Sequence, residues 1–178
     1  MTILLIILSV ALWAGAFCAV PRRIILAPAL SYLAMDVLSY ARLSDGSLLF
    51  PLSNTMNMSW LAITLVVMVI IILQNPAIRQ QGRGTAYMTM GALAGLAVGL
   101  LAYTFTPSLQ LRYAVMVLAT AAGIMLSGLV FTNTPDGRSI APGSGHFLRY
   151  LLAKGFPILV AAGQLGVAAV MLLARYAA

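Results

Sequence analysis

Six long apolar stretches, separated by short polar segments, constrain this chain more than any other feature of its sequence. Most reach or approach the length of about 17–25 residues that an α-helix needs to cross a bilayer. Only 7% of the 178 residues are charged, against about 25% in soluble domains. The sequence therefore predicts an all-α, polytopic membrane helical bundle with a single integral membrane domain over residues 1–178. The predicted helices span residues 3–20, 24–41, 58–73, 85–105, 112–131 and 147–173.

The arginines indicate how these helices are oriented, because cytoplasmic loops carry an excess of Lys and Arg. Six arginines follow the first, third and fifth helices, and three lie on the other side. The first set is Arg22, Arg23, Arg79, Arg83, Arg138 and Arg149, and the second is Arg42, Arg112 and Arg175. We expect a bacterial plasma (inner) membrane protein with both termini outside. No basic residue precedes the first stretch, which favours a retained anchor over a cleaved signal peptide.

The fourth stretch carries a row of glycines that predicts close helix packing. Gly91, Gly95 and Gly99 recur at every fourth residue and so share one helix face. Small residues let two backbones approach closely, which is a main source of helix association in lipid. We expect the other helices to pack around this one. A matching row in the fifth stretch predicts the partner face: Ala119, Gly123 and Ser127.

Asp36 is the most informative side chain, because it lies well inside the second apolar stretch. Tyr32, Ser39 and Tyr40 are three or four residues away and share its helix face. An ionisable group at membrane depth is costly and usually faces the bundle interior or a water-filled path. This group of four predicts a site on the pathway of an ion, a proton or another substrate. The alternative is that Asp36 anchors helices through hydrogen bonds, or that it lies close enough to the membrane–water interface to remain hydrated.

A second polar stripe runs along the sixth stretch and consists of Lys154, Pro157 and Gln164. Pro157 frees the backbone carbonyl of Ala153, and irregular backbone at membrane depth is tolerated where it is buried or lines a cavity. This stripe is therefore a second candidate for the pathway. Lys154 is the natural charge partner of Asp36, although their depths differ by roughly 9 Å at about 1.5 Å per residue. The alternative is that Lys154 extends to the headgroups.

Metal, cofactor and nucleic-acid sites are not predicted. Cys18 and His146 are the only residues of their kinds, and the chain has no glutamate, so a metal cluster is disfavoured. The basic residues form no continuous patch of the kind that binds nucleic acid. The segment Asn75–Pro76–Ala77 spells a tripeptide of water channels, but it occurs once, and we interpret it as a helix terminator.

Two functions from different classes fit these features. The leading hypothesis is a small multi-pass permease or channel module that moves a proton, a cation or a small solute. The alternative is a non-catalytic membrane subunit that scaffolds a larger complex. An enzyme is not predicted, because no catalytic motif is present. The expected partners are the lipid bilayer and either further copies of the chain or other membrane subunits.

Overall fold

The computed structural model describes residues 2–73, 83–140, 142 and 145–176. Of these residues, 82% are helical and none lies in a strand, and the predicted fold class, an all-α helical bundle, is confirmed. The helices are α1 (Thr2–Ala19), α2 (Leu26–Ser39), α3 (Asn54–Leu73), α4 (Arg83–Leu101), α5 (Leu109–Thr132), α6 (His146–Tyr150) and α7 (Phe156–Tyr176). A π-helical turn, Leu151–Gly155, joins α6 and α7 without a break, and we refer to the three together as the last helix.

Within the described residues, five helices are long and apolar enough to span a membrane. They are α1, α3, α4, α5 and the last helix, and they mark the chain as an integral membrane protein. The apolar helix α2 is the exception, with 14 residues. At 1.5 Å per residue it is about 21 Å long, shorter than the roughly 30 Å of a hydrocarbon core. The second helix was predicted to reach residue 41, but it ends at Ser39.

A hairpin formed by residues 41–50 continues the chain where α2 ends, and we call it the clamp hairpin. The amide of Leu49 donates to the carbonyl of Ala41 at 2.7 Å, and the amide of Leu43 donates to the carbonyl of Ser47 at 2.8 Å. Phe50 is completely buried in an apolar cluster with residues of α2 and α7. Backbone hydrogen bonds therefore close the hairpin, and Phe50 packs it against the short helix. The turn also lowers the pKa of the exposed Asp45, because the hydroxyl and amide of Ser47 donate to its carboxylate.

The clamp hairpin holds both ends of the described chain. The hydroxyl of Thr2 donates to the carbonyl of Arg42 at 2.6 Å. The guanidinium of Arg175 donates to the carbonyl of Leu48 and, at 2.5 Å, to the hydroxyl of Ser47. The start of α1 and the end of α7 thus lie at the same end of the bundle, which we call the hairpin end. The opposite end, where Arg22 and Arg23 join α1 to α2, is the arginine end.

The last helix occupies the centre of the bundle. It packs against α2, α3, α4 and α5, and 61% of its spanning window is buried. The corresponding share is 44% for the glycine helix α4 and 17% for α1 and α3. The expectation that the other helices pack around α4 is therefore wrong, because the last helix holds the central place. The last helix can hold this place because it presents small residues to its neighbours; at Gly155, for example, a Cβ atom would lie 2.8 Å from a side-chain methyl of Ile124.

The glycine row of α4 lies against α5. A Cβ atom at Gly95 would collide with the carbonyl oxygen of Ala119, and one at Gly99 would come within 2.7 Å of the Cα atom of Met116. Gly91 has the same relation to α5, where a Cβ atom would collide with Gly123 and Ser127. The backbones of α4 and α5 therefore touch along the whole row, which requires residues without bulky side chains.

The π-helical turn has a local cause in Pro157. A proline inside an α-helix lacks an N–H group, and its ring clashes with the carbonyl four residues earlier, here that of Ala153. A single wider turn directly before the proline accommodates that clash without ending the helix. Lys154 and Gly155 belong to this turn, so the backbone irregularity coincides with a buried charged side chain.

Candidate functional site

A layer of polar side chains crosses the middle of the bundle, between two apolar clusters. One cluster lies toward the arginine end and contains Ile71, Ile158 and Ala161, and the other lies toward the hairpin end and contains Phe50 and Val167. Four residues from α1, α2, α3 and α7 form what we call the polar layer: Trp13, Ser31, Thr64 and Gln164. All four are buried, with at most 8% of any of them exposed.

Ser31 connects three helices within this layer. The indole nitrogen of Trp13 on α1 donates to the hydroxyl of Ser31 at 2.9 Å. That hydroxyl donates to the backbone carbonyl of Ala161 on α7 at 2.8 Å. One turn further toward the hairpin end, the hydroxyl of Ser9 donates to the carbonyl of Ala34 at 2.6 Å. Hydrogen bonds thus hold α1 and α2 against each other and against the central helix.

Gln164 is the residue of the polar layer that has a buried hydrogen-bond acceptor without a donor. Its amide nitrogen donates to the hydroxyl of Thr64 on α3 at 2.8 Å, and this hydroxyl in turn donates to the carbonyl of Trp60 at 2.7 Å. The oxygen Oε1 of Gln164 is fully buried and has no hydrogen-bond partner among the described residues. A buried acceptor without a donor costs about 1–3 kcal/mol, so the centre of the bundle retains one vacant acceptor position.

Asp36 lies near the hairpin end and is joined to α3 through Asn57. The side-chain amide of Asn57 donates to the carboxylate of Asp36 at 3.2 Å, and the hydroxyl of Tyr32 donates to the amide oxygen of Asn57 at 2.8 Å. Both bonds are partly exposed. The three side chains therefore form a relay from Tyr32 through Asn57 to a carboxylate that keeps one oxygen for another donor.

The other two members of the predicted Asp36 group take different roles. The hydroxyl of Ser39 donates at 2.6 Å to the backbone carbonyl of Asp36, not to its carboxylate. Tyr40 follows the last residue of α2 and is 65% exposed. The structure thus brings Tyr32 and Asp36 together through a residue of α3, and it leaves Ser39 and Tyr40 at the helix end.

Lys154 and Pro157 lie toward the arginine end. Lys154 is 2% exposed and lines a pocket of about 200 Å³ together with residues of the α1–α2 loop, the end of α3 and the start of α4. Pro157 is buried two residues beyond the π-helical turn. Gln164 lies about two turns further along the same helix, in the polar layer. The predicted second stripe thus extends from the arginine end to the centre of the bundle.

The face of α3 relates these groups to one another. Asn57, Thr64 and Ile71 are seven residues apart, so they lie on one side of the helix at intervals of about 10 Å. Asn57 binds Asp36, Thr64 binds Gln164, and Ile71 lines the pocket of Lys154. Asp36 and Lys154 are therefore separated by about 20 Å along the bundle axis, which is too far for a direct ion pair.

Sequence reasoning missed Asn57, Ser31 and Thr64. Asn57 was predicted to lie in the loop before the third helix, whose predicted start is residue 58. Helix α3 begins earlier, at Asn54, and Ser53 caps it, since its hydroxyl accepts from the amide of Met56 at 3.2 Å. The spacing of seven between Asn57 and Thr64 is the signal that could have identified both. Ser31 is a single hydroxyl in an apolar stretch, and such residues commonly donate across helices in membranes.

Among the described residues, no group of three or more His, Cys, Asp or Glu side chains could hold a metal ion. The Asn75–Pro76–Ala77 segment lies outside the described residues. Comparison of the chain with protein-family models, with curated proteins and with solved structures finds no match to any of them.

Proposed function

We propose that this protein is a small permease that carries protons, or a small hydrogen-bonding solute, across a bacterial plasma membrane. The proposed path follows the seam between α2, α3 and the last helix. Asp36 and Tyr32 form its outer station, the polar layer its middle station, and Lys154 its inner station. No covalent step is part of this proposal, and both termini lie outside in the corresponding orientation.

The polar layer is the observation that carries this proposal. A bundle held together only by apolar packing gains nothing from a buried amide oxygen that has no donor. In many transporters the substrate site lies near the bilayer midplane and combines helix irregularities with a few polar groups. Here the vacant acceptor of Gln164 lies in the middle of the most buried helix. A proton donor that passes through the bundle would satisfy it.

The last helix also supplies a place where the bundle could flex. The π-helical turn and Pro157 interrupt its regular hydrogen bonding between the pocket of Lys154 and the polar layer. Discontinuities of this kind are frequent at functional sites and act as hinges when one helix moves against its neighbours. Movement of α7 against α3 at this point would open the polar layer toward one side at a time.

The charges at the arginine end narrow the class of solute. Lys154, Arg22 and Arg23 line the pocket there, and a pore lined by cationic side chains repels a metal cation. A neutral polar solute does not meet that barrier. A proton meets the same repulsion, but unlike a metal ion it can be passed along ionisable side chains. Protons and neutral solutes therefore fit the path better than sodium or potassium ions.

The substitution Asp36→Asn tests the proposal. It keeps the size and most hydrogen bonds of the side chain but removes the charge. We expect the purified variant to melt within a few degrees of the wild type, and its proton flux to fall at least about tenfold in proteoliposomes that contain a pH-sensitive dye. The matched control is Asp45→Asn, which removes the same charge from the exposed clamp hairpin at the same end of the bundle. Its flux should equal that of the wild type.

Two results would contradict the permease. One is a folded Asp36→Asn variant with undiminished flux of every solute tried. The other is wild-type protein whose proton and solute fluxes do not exceed those of empty liposomes.

The alternative, a scaffolding subunit, is favoured by the faces of α1 and α3. Only 17% of the spanning window of each helix is buried within the chain. Lipid covers such faces equally well, so exposure alone does not require a protein partner. Co-purification in a mild detergent separates the two functions: a scaffold should elute with other membrane subunits in fixed stoichiometry, whereas a permease should elute alone or as a homo-oligomer.

A further inference from the structure

The hydrogen-bond chain through Thr64 runs in one direction. A hydroxyl has a single hydrogen to donate, and that of Thr64 is used in the bond to the carbonyl of Trp60 in its own helix, at 2.7 Å. The oxygen of Thr64 can therefore only accept from Gln164, and the group that faces it has to be the NH₂ end of the amide. The oxygen Oε1 is consequently the end of the amide that Thr64 leaves without a partner.

The other donors of the polar layer are engaged as well. The indole N–H of Trp13 donates to the hydroxyl of Ser31, and this hydroxyl donates to the carbonyl of Ala161. Neither group can turn toward Oε1 of Gln164 without giving up its present bond. Gln164 is 0% exposed, so bulk water does not supply the donor either. The polar layer thus offers an acceptor to a molecule that enters it, and its own hydroxyl and indole donors do not compete for that acceptor.

The charge of the polar layer indicates what kind of donor fits. Its four side chains are an indole, two hydroxyls and an amide, and none of them is ionised. Asp36 and Lys154 lie about 10 Å from the layer, one on either side, at the levels of α3 seven residues away. An ion at membrane depth without a close partner is costly, and an anion would also meet the negative end of the amide dipole. An uncharged molecule with an N–H or O–H group meets neither barrier.

We propose that Thr64 positions Gln164 so that the centre of the bundle takes an uncharged hydrogen-bond donor. This inference rests on the proposed permease and names the class of molecule that passes its middle station. Two sources supply such a donor: a small solute with an N–H or O–H group, or a water molecule that passes protons across a layer whose own side chains do not hold them. Thr64 is a positioning residue, because Gln164 is the residue that contacts the passing molecule.

Three variants isolate this positioning role. Thr64→Val keeps the shape of threonine and removes the hydroxyl, so the amide of Gln164 loses the acceptor that orients it. Thr64→Ser keeps the hydroxyl. Thr120→Val is the matched control on α5: Thr120 is also buried, and its hydroxyl donates to the carbonyl of Met116 four residues earlier, as that of Thr64 does to Trp60.

Binding is measured by NMR on the full chain in detergent, with ¹⁵N in the glutamine side chains. The signal of Gln164 is identified by its absence from Gln164→Met. Acetamide and acetone serve as probes, because they have nearly the same shape and only acetamide has N–H groups. We expect acetamide, and not acetone, to shift the signal in wild type, Thr64→Ser and Thr120→Val. Thr64→Val should bind acetamide at least about tenfold more weakly, since its amide is no longer held with Oε1 as the vacant end.

Proton flux and the uptake of labelled acetamide, both measured in proteoliposomes, separate the two sources. If the donor is a solute, acetamide uptake follows the binding pattern. If it is water, acetamide leaves the Gln164 signal unchanged, and proton flux falls at least about tenfold in Thr64→Val and in neither of the other two variants.

Two results would overturn this inference and leave the permease intact. One is wild-type flux together with a Thr64→Val variant that equals Thr64→Ser in binding and in flux. The other is a shift of the wild-type Gln164 signal that acetone produces as strongly as acetamide, which does not depend on whether Thr64→Val folds. A wild type that moves neither protons nor acetamide would instead overturn the permease, and this inference with it.

Discussion

At the scale of single residues, Gln164 and Asp36 show the same limit on what the sequence predicts about a side chain's surroundings. Both are visible as polar positions within apolar stretches. Their hydrogen-bond partners, Thr64 and Asn57, lie on one face of α3. Thr64 is 100 residues from Gln164 in the sequence, and Asn57 is 21 residues from Asp36. Hydropathy predicts that a helix exists but not which side chains of another helix lie opposite. The sequence therefore indicates candidate residues, whereas the relay through Asn57 requires the packed structure.

The substitution Gln164→Met separates a functional role of this residue from a structural one. Methionine has a similar length and no amide, so the hydrogen bond to Thr64 is lost, at about 0.6 kcal/mol for an average interhelical bond in a membrane. The change also removes a buried acceptor that has no donor among the described residues, a gain of about 1–3 kcal/mol. We expect an unchanged or higher melting temperature together with at least about tenfold lower flux. The neighbouring substitution Leu165→Met serves as the control and should alter neither.

The opposite pattern, a lower melting temperature with normal flux, would show that Gln164 only joins α7 to α3.

At the scale of helices, the described structure contains two kinds of contact. In one, glycines bring backbones together, as between α4 and α5. In the other, polar side chains join helices whose packing is looser, as between α2 and α7. The four-residue spacing of small residues is a local pattern that sequence reveals directly. The central place of the last helix is not local, because it follows from the contacts of α2, α3, α4 and α5 with one helix. The proline was visible in the sequence, but the π-helical turn that accommodates it was not.

Replacing Gly95 by leucine tests the backbone contact of α4 with α5. Any side chain at this position collides with the carbonyl oxygen of Ala119, and backbone atoms cannot move aside as a flexible side chain can. Overpacking of this kind costs about 1–3 kcal/mol or more, so Gly95→Leu should melt many degrees lower in detergent. Leu93→Ala is the matched control, since Leu93 lies on the same helix and is exposed. Equal destabilisation by both changes would mean that the glycine row is not an important contact.

At the scale of the whole molecule, the clamp hairpin determines the relation between the two ends of the described chain. Thr2 and Arg175 both donate to it, so α1 begins and α7 ends on the same side of the bundle. The described helices therefore pass six times between the two ends of the bundle, and α2 is one of these passes despite its 14 residues. Its length alone would have excluded α2 from the helices that connect the two ends, but its position between the arginine end and the hairpin end shows that it is one of them.

Reporter fusions test the orientation of the whole bundle. The bias of six arginines against three predicts that the arginine end faces the cytoplasm. A reporter enzyme that matures only outside the cytoplasm should therefore be active when it is fused at either terminus. The same reporter inserted in the loop between α5 and α6, near Arg138, should be inactive. A cytoplasmic signal from either terminus would contradict this topology.

The central position of the last helix has a consequence for the biosynthesis of the protein. Residues 146–176 are translated after the five other helices, so α2 to α5 enter the bilayer before the helix that they surround exists. The neighbouring pairs α1–α2 and α4–α5 are in contact in the finished bundle and are equipped to associate early. Ser31 and Thr64, however, remain without their partners on α7 until translation passes residue 164. A nascent chain that stops short of this point leaves the hydroxyl of Ser31 without its acceptor on α7, whereas that of Thr64 still donates to the carbonyl of Trp60 in its own helix. We expect such an unfinished chain to be degraded faster than the complete one.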